Sequence, residues 1–309
     1  MFYYFLVLLA VIGLAVNFSL NKIYQNHVGS GSRMIVIFNI ITAACTAVIF
    51  FFINGFMNGF SISITPFSIL MAALLALFCG SYSVIGFKII SMGNIAVYTL
   101  FLMLGGMMLP YFYGLIFLDE EFSILRLLGL ILMVVSIILS GLDDNKSEDG
   151  EKKKSSTMFF VLCAIVFCLN GMTSITSKIH QLDTNVDMAV NPQTFVMLTA
   201  IIRVIFFSVV YLIIRLRDGK LPPLSRPAPV KIKLPIFGIM VASAAVDGLS
   251  YLLQLIGASH LPATVLYPLV TGGTIVLTAV AGLLLFKQKL SRRATIGIVL
   301  CFASTFLFL

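Results

Sequence analysis

Long apolar runs separated by short polar segments make up most of this chain. A helix needs about 20 mostly apolar residues to cross the hydrocarbon core of a bilayer. Strands of a membrane barrel alternate apolar and polar positions, and these runs do not alternate. The pattern therefore predicts an all-α integral membrane protein with ten transmembrane helices. The predicted spans are residues 2–21, 34–53, 66–87, 95–118, 124–142, 158–177, 195–214, 234–257, 262–285 and 293–309.

The composition leads to the same class of protein. Hydrophobic residues make up 60% of the chain and charged residues 10%, whereas soluble domains carry about 25% charged residues. One soluble core could not hide so much apolar surface, so a bilayer is the expected solvent. The first run has no basic segment before it and is longer than the apolar part of a signal peptide, so we interpret it as helix 1.

The net charge of +8 is distributed unevenly along the chain. The loops after helices 1, 3, 5, 7 and 9 hold 17 of the 20 Lys and Arg residues, the opposite loops hold only Arg126 and Lys178, and Arg203 lies in a span. Cytoplasmic loops of membrane proteins are enriched in basic residues. The charge therefore indicates membrane topology and not nucleic-acid binding. It predicts a protein of the inner or plasma membrane with both termini outside the cell and the five basic loops in the cytoplasm.

A charged linker, residues 143–157, divides the chain into two parts of five predicted helices each, residues 1–142 and residues 158–309. Short matches recur in the same order in both parts. Because five is odd, the second copy would enter the membrane from the opposite side, which makes an inverted repeat typical of secondary transporters. The matches are Lys22 to Gln25 with Lys178 to Gln181, Gly105 and Gly106 with Gly272 and Gly273, and Gly129 with Gly297.

Helices 4 and 9 each carry two adjacent glycines with a proline nearby. Glycine lets two helix backbones approach closely or lets a helix bend, and an internal proline can kink a helix. Ordinary small-residue packing explains any one glycine, but the occurrence in both halves favours a mechanical role. The residues are Gly105, Gly106 and Pro110 in helix 4, and Gly272, Gly273 and Pro268 in helix 9.

The ends of helices 4 and 9 also carry a family resemblance. They continue into helices 5 and 10 through residues 114–141 and 282–309, and over essentially its whole length the chain resembles an EamA-type member of the drug/metabolite transporter superfamily. In that family an acidic residue commonly closes the fourth helix of each repeat, with a glycine several residues later. Glu121 and Gly129 fit this pattern, while in the second copy Lys289 replaces the acid before Gly297.

The resemblance implies ten helices in two fives and secondary transport of small metabolites such as amino acids, often in the export direction. It also implies cytoplasmic termini, which is the opposite of the orientation that the basic residues predict. The tryptophan common in the family's first helix is absent, because the chain has no Trp.

Two charged residues are predicted to lie deep inside spans. Arg203 in helix 7 and Asp247 in helix 8 lie about 18 and 21 Å from the cytoplasmic helix ends at 1.5 Å per residue. Each charge costs about 2.5–3.5 kcal/mol at the centre of a lipid-facing helix, so both should face the protein interior. Two interpretations stay open: a structural ion pair between helices 7 and 8, or a site in which Arg203 binds a carboxylate or phosphate and Asp247 binds an amine or a coupling proton.

Neutral polar side chains in the other spans form a second candidate group. Such side chains either hydrogen-bond to neighbouring helices or line a water-filled cavity. We predict that some of them line the substrate pathway together with Arg203 and Asp247. The group contains Asn17, Asn39, Tyr82, Asn170, Gln254, Tyr267 and Thr271.

No catalytic arrangement is evident. The three histidines lie at predicted span ends without a neighbouring acid or nucleophile, and the five cysteines lack the spacing of a metal site. We therefore expect no enzyme activity, metal or cofactor. The sequence predicts a secondary transporter of small polar or amphipathic metabolites, an exporter or exchanger that works by alternating access, as a monomer or a homodimer. The alternatives are efflux of drugs or organic cations, and a membrane scaffold that transports nothing.

Overall fold

A computed structural model describes residues 1–29, 31–60, 62–91, 95–141, 157–185, 187–219, 233–287 and 291–309. These ranges contain ten α-helices and no strand. Residues 143–156 of the predicted linker lie outside the described residues, and so does Lys289. The helices are α1 (Phe2–Val28), α2 (Ser32–Asn58), α3 (Pro66–Ser91), α4 (Ile95–Phe117), α5 (Ile124–Gly141), α6 (Thr157–His180), α7 (Pro192–Gly219), α8 (Leu234–His260), α9 (Ala263–Phe286) and α10 (Arg292–Thr305).

Eight of these helices are long and apolar enough to cross a membrane. The chain is therefore a multi-pass, all-α membrane protein, as the apolar runs predicted. The other two, α5 and α10, are shorter, at 18 and 14 residues. Ser291 begins α10 by accepting a hydrogen bond from the backbone N–H of Ala294, and a 3₁₀ turn, Phe306–Phe308, follows its end. Ten spans, as distinct from ten helices, remain a prediction.

The helices pack in a pattern that brings distant parts of the chain together. The most extensive contacts join α1 with α8, α2 with α7, α3 with α6, α4 with α6 and α5 with α10. Further contacts join α1 with α9, α2 with α8, α3 with α7 and α4 with α9. One apolar core contains Phe50, Phe195 and Leu255, from α2, α7 and α8. Another contains Met107 and Met133, from α4 and α5.

Two ends of the helix bundle can be distinguished by their contacts. At one end Tyr3 at the start of α1 stacks on His260 at the end of α8, with ring centroids 3.8 Å apart. Because both chain termini belong to this end, we name it the termini end. At the other end Lys22 lies 4.4 Å above the ring of Phe286. We name it the basic end, because most of the described Lys and Arg residues lie there, including Lys22 and Lys287.

Candidate functional site

Asp247 lies midway along α8 and faces an amide of α1. The Nδ2 atom of Asn17 donates a hydrogen bond of 2.8 Å to Oδ1 of Asp247. One turn nearer the basic end, the Ser243 hydroxyl lies 2.5 Å from Oδ1 of Asn17 and 3.2 Å from Oδ1 of Asn21. Residues four apart share one helix face, so these contacts form a continuous row between α1 and α8. We call Asn21, Ser243, Asn17 and Asp247 the polar row.

Arg203 lies midway along α7 and is half-buried. Its Nε atom is fully buried and has no hydrogen-bond partner. Asp247 is close enough for the two charges to interact, but no nitrogen–oxygen contact within 4.0 Å joins these two described residues. The direct ion pair that one interpretation of the sequence required is therefore not formed. The guanidinium and the carboxylate face a common region without neutralising each other by contact.

Two tyrosines complete the surroundings of Arg203. The hydroxyl groups of Tyr82 on α3 and Tyr251 on α8 both lie within electrostatic range of the guanidinium, as does the thiol of Cys79. Tyr251 shares a hydrogen bond of 2.9 Å with the hydroxyl of Ser177 on α6. The thiol of Cys79 makes a contact of 3.5 Å with the Tyr82 hydroxyl. Five helices, α1, α3, α6, α7 and α8, thus contribute polar groups to one central region.

The remaining predicted site residues lie around this region or apart from it. Tyr267 on α9 donates a hydrogen bond of 2.6 Å to the carbonyl of Ser174 on α6. Asn170 on α6 donates one of 2.7 Å to the carbonyl of Leu102 on α4, so both side chains join helices. Among the described residues, the other three form no hydrogen bond with the polar row: Gln254 bonds to Ser250 of its own helix, Asn39 bonds to Ile35 of its own helix, and Thr271 is half-buried on α9.

The paired glycines lie where helices approach each other closely. A Cβ atom at Gly105 would overlap the backbone carbonyl of Phe167 on α6, and one at Gly106 would lie 2.6 Å from Nδ2 of Asn170. In α9, a Cβ at Gly272 would lie 2.6 Å from Cε of Met133, and one at Gly273 would lie 2.9 Å from Cγ1 of Val11. Both helices continue through their internal prolines, Pro110 and Pro268.

Two charged side chains bind the backbone of the turn between α8 and α9. The ammonium group of Lys178, at the end of α6, donates hydrogen bonds of 2.7 and 2.8 Å to the carbonyls of Ala258 and Leu261. The carboxylate of Glu120, between α4 and α5, accepts bonds of 2.5 and 2.8 Å from the amides of Ala263 and Thr264. A cation at a helix C-terminus and an anion at a helix N-terminus both oppose the charge of the helix dipole. We call Lys178 and Glu120 the turn clamp.

Several of these residues were not predicted from the sequence. Ser243 and Tyr251 lie four positions before and after Asp247, so helical spacing alone could have placed them on its face. Lys178 was noted only as a basic residue of the opposite loops and as part of a repeat match, and neither signal, nor any at Glu120, indicates binding to a backbone turn. Among the described residues, no group of three or more His, Cys, Asp or Glu side chains could hold a metal ion.

Comparison with known proteins adds information about the fold. No family model matches the chain, and no curated protein matches it in sequence. Among solved structures, 28 chains match. One of these, described as "Crystal structure of protein", has a TM-score of 0.72 and 12% sequence identity, over 97% of this chain and 95% of that chain. The likeness shows a shared fold over almost the whole chain.

Proposed function

We propose that the protein is a secondary transporter that binds a small polar or amphipathic solute between Arg203 and Asp247. One observation carries the proposal. Two opposite charges lie at mid-height of neighbouring membrane-capable helices, within electrostatic range but without a direct ion pair. Charged side chains inside a membrane protein are costly and commonly mark a substrate or ion pathway. A buried charge without a compensating partner is strongly destabilising, so a purely structural pair would be expected to close into contact.

A zwitterion such as an amino acid suits this arrangement best. The planar guanidinium of Arg203 can bind a carboxylate through two parallel hydrogen bonds. Asn17 occupies one oxygen of Asp247, and the second oxygen can accept a bond from an ammonium group. The rings of Tyr82 and Tyr251 supply apolar surface for the rest of the solute. When no amine is bound, Asp247 is the group that would carry a coupling proton.

The finer architecture belongs to the same proposal: ten spans in two inverted five-helix repeats, as in the EamA-type transporters that the sequence resembles. The packing supports it. In a repeat of five helices, each contact in one half should have an equivalent between the helices five places away along the chain. The equivalent of the contact between α1 and α8 is the one between α6 and α3, and the equivalent of α4 with α6 is α9 with α1. All four pairs are in contact. Asp119 and Lys287, 168 positions apart, both take the left-handed conformation, with φ of 51° and 50°.

The orientation is proposed from the charge count: termini outside and basic end in the cytoplasm of the cell membrane. Nine described Lys and Arg residues lie at the basic end, against Arg126 and Lys178 at the other. We further propose that the protein acts as a transporter and catalyses no reaction.

The test is binding and uptake with purified protein in liposomes. A panel of amino acids, organic anions, sugar phosphates, nucleosides and quaternary amines is screened by thermal shift, since a ligand at 100 times its Kd stabilises by about 2.7 kcal/mol. Arg203→Leu and Asp247→Asn should each abolish binding and uptake of the hit. The matched controls, Arg215→Leu at the exposed end of α7 and Glu121→Gln, should retain both. A hit that survives both central substitutions would refute the proposed site.

A further inference from the structure

A cleft of about 140 Å³ lies between α1 and α2 at the basic end. Its lining combines polar, uncharged side chains from both helices with two apolar side chains of α2. Gln25 is exposed and Asn39 is half-buried, so the cleft extends inward from the surface. An engineered cavity of about 150 Å³ holds benzene, so this cleft has room for a molecule of about six non-hydrogen atoms. The lining residues are Asn21, Tyr24, Gln25, Ile35, Phe38 and Asn39.

The cleft and the central charges share a residue. Asn21 lines the cleft and is also the first member of the polar row, 3.2 Å from the hydroxyl of Ser243. From Ser243 the row continues through Asn17 to Asp247. Asn21 lies four residues after Asn17 on α1, which is about 6 Å along the helix at 1.5 Å per residue. Hydrogen-bonding groups therefore follow one another without a break from the cleft to the carboxylate.

The termini end is built differently. There the turn clamp holds the connection between α8 and α9 through four charge-assisted hydrogen bonds. Beside it the ring of His180 stacks on Phe195 at 3.6 Å and hydrogen-bonds to Ser68 at 2.9 Å. The Ser68 hydroxyl also accepts a bond from the backbone N–H of Val190. These contacts join α3, α6, α7, α8 and α9 across that end, and Lys178 and His180 are buried.

We propose that the cleft between α1 and α2 is the entrance by which small neutral or zwitterionic solutes reach Asp247 from the basic end, while the termini end is closed. The chemistry of the lining selects this class, because amide and phenol groups exchange hydrogen bonds with a solute without favouring either sign of charge. The inference rests on the proposed function. It adds the side of access and the route.

Two serines of α8 form a matched pair of probes. Ser243 and Ser250 lie one turn before and one turn after Asp247, and each is 2% exposed. Ser243 belongs to the polar row. Ser250 donates a hydrogen bond to the carbonyl of Val246 in its own helix. Its hydroxyl packs so closely against Gly13 on α1 that a Cβ atom at Gly13 would overlap it. Ser243→Cys and Ser250→Cys are therefore made separately after the five native cysteines have been replaced, and each is treated with a charged methanethiosulfonate that does not cross membranes.

The reagent is added to one side of sealed vesicles and then to the other. Arg217→Cys and Glu121→Cys, both at exposed positions, identify the basic and termini sides independently of any assumed orientation. We expect Ser243→Cys to react from the basic side at least about tenfold faster than Ser250→Cys, equivalent to about 1.4 kcal/mol in the free energy of exposure. Adding Asn39→Trp, which fills the cleft, should remove that difference.

Each outcome decides a separate question. Reaction of Ser243→Cys from the termini side would overturn the route and leave the proposed site intact. Equal rates for the two serines from the basic side, or no effect of Asn39→Trp, would also overturn it. If a solute identified in the binding screen does not slow the reaction of Asn17→Cys with the reagent, the proposed binding site itself is wrong. Native-like melting of each variant is required first, and Asn21→Cys replaces Ser243→Cys if that variant does not fold.

Discussion

Removing both central charges should destabilise the protein by less than the sum of the effects of removing each charge alone. Arg203→Met and Asp247→Asn each leave the opposite charge without its electrostatic partner at the centre of the bundle. The double variant carries neither charge. The two substitutions should therefore not be additive, and a double-mutant cycle measures the difference between them.

The size of the effect has an upper limit set by the structure. The two groups have no nitrogen–oxygen contact within 4.0 Å, and two unit charges 4 Å apart attract by about 4 kcal/mol at an effective dielectric constant of 20. Their interaction must be smaller than that, so we expect a coupling energy of about 1–3 kcal/mol. For a large chain, a change of about 1 kcal/mol in the free energy of unfolding shifts the melting temperature by about 2 °C. The double variant should therefore melt roughly 2–6 °C above the temperature obtained by adding the shifts of the two single variants.

The chain provides its own reporter for this measurement. It contains no tryptophan, but Cys163 and Cys301 are both 0% exposed. Once the more accessible Cys45, Cys79 and Cys168 have been replaced, a thiol-reactive fluorescent dye reports unfolding when these two side chains become accessible. Arg215→Met, on the same helix but exposed, is the control and should leave the melting temperature unchanged. Strict additivity of the two central substitutions would refute the electrostatic link between Arg203 and Asp247, and with it the description of the site.

Three further predictions concern stability and use the same melting assay. Lys178→Met should destabilise by about 3–6 kcal/mol, because two hydrogen bonds from a charged group, each contributing about 1.5–3 kcal/mol, are lost. Glu120→Gln should cost about 1–2 kcal/mol through loss of charge at a helix N-terminus, while the neighbouring Glu121→Gln should cost nothing measurable. Gly105→Ala should prevent native packing or cost more than about 3 kcal/mol, because its Cβ would overlap a backbone carbonyl, whereas Gly238→Ala, which has open space around it, should be neutral.

The sequence predicted the helices well and their ends poorly. The first predicted span ends at residue 21, but α1 continues to Val28, and α2 extends five residues beyond its predicted end to Asn58. Hydropathy reports only the part of a helix that suits lipid. Backbone hydrogen bonding continues past that part where side chains find partners, as Tyr24 does with the carbonyl of Met34 at 3.0 Å. Helix length therefore exceeds span length at these ends.

The central charges were predictable and their partners only in part. Arg203 and Asp247 are conspicuous because a charge within an apolar run needs a physical explanation. Asn17 was identified as an unusually polar position in helix 1, but nothing in its local sequence indicates that it faces α8. The turn clamp could not be predicted at all. Lys178 and Glu120 bind backbone carbonyls and amides about 80 and 140 positions away, and every residue carries such groups, so no side-chain pattern identifies the partner.

Alternating access requires that one end of the bundle opens while the other closes, and the two kinds of contact differ in how easily they do so. The turn clamp consists of charged groups on backbone polar atoms. Water can take the place of each partner when such a bond breaks, at a net cost of about 1.5–3 kcal/mol for each hydrogen bond to a charged group, a cost that substrate binding must offset. The contact between α4 and α6 at Gly105 offers no such exchange, because two backbones meet there without an intervening side chain. Under the proposed function, the α8–α9 turn therefore moves and the α4–α6 pair stays rigid, which places the opening at the clamp and not at the paired glycines of α4.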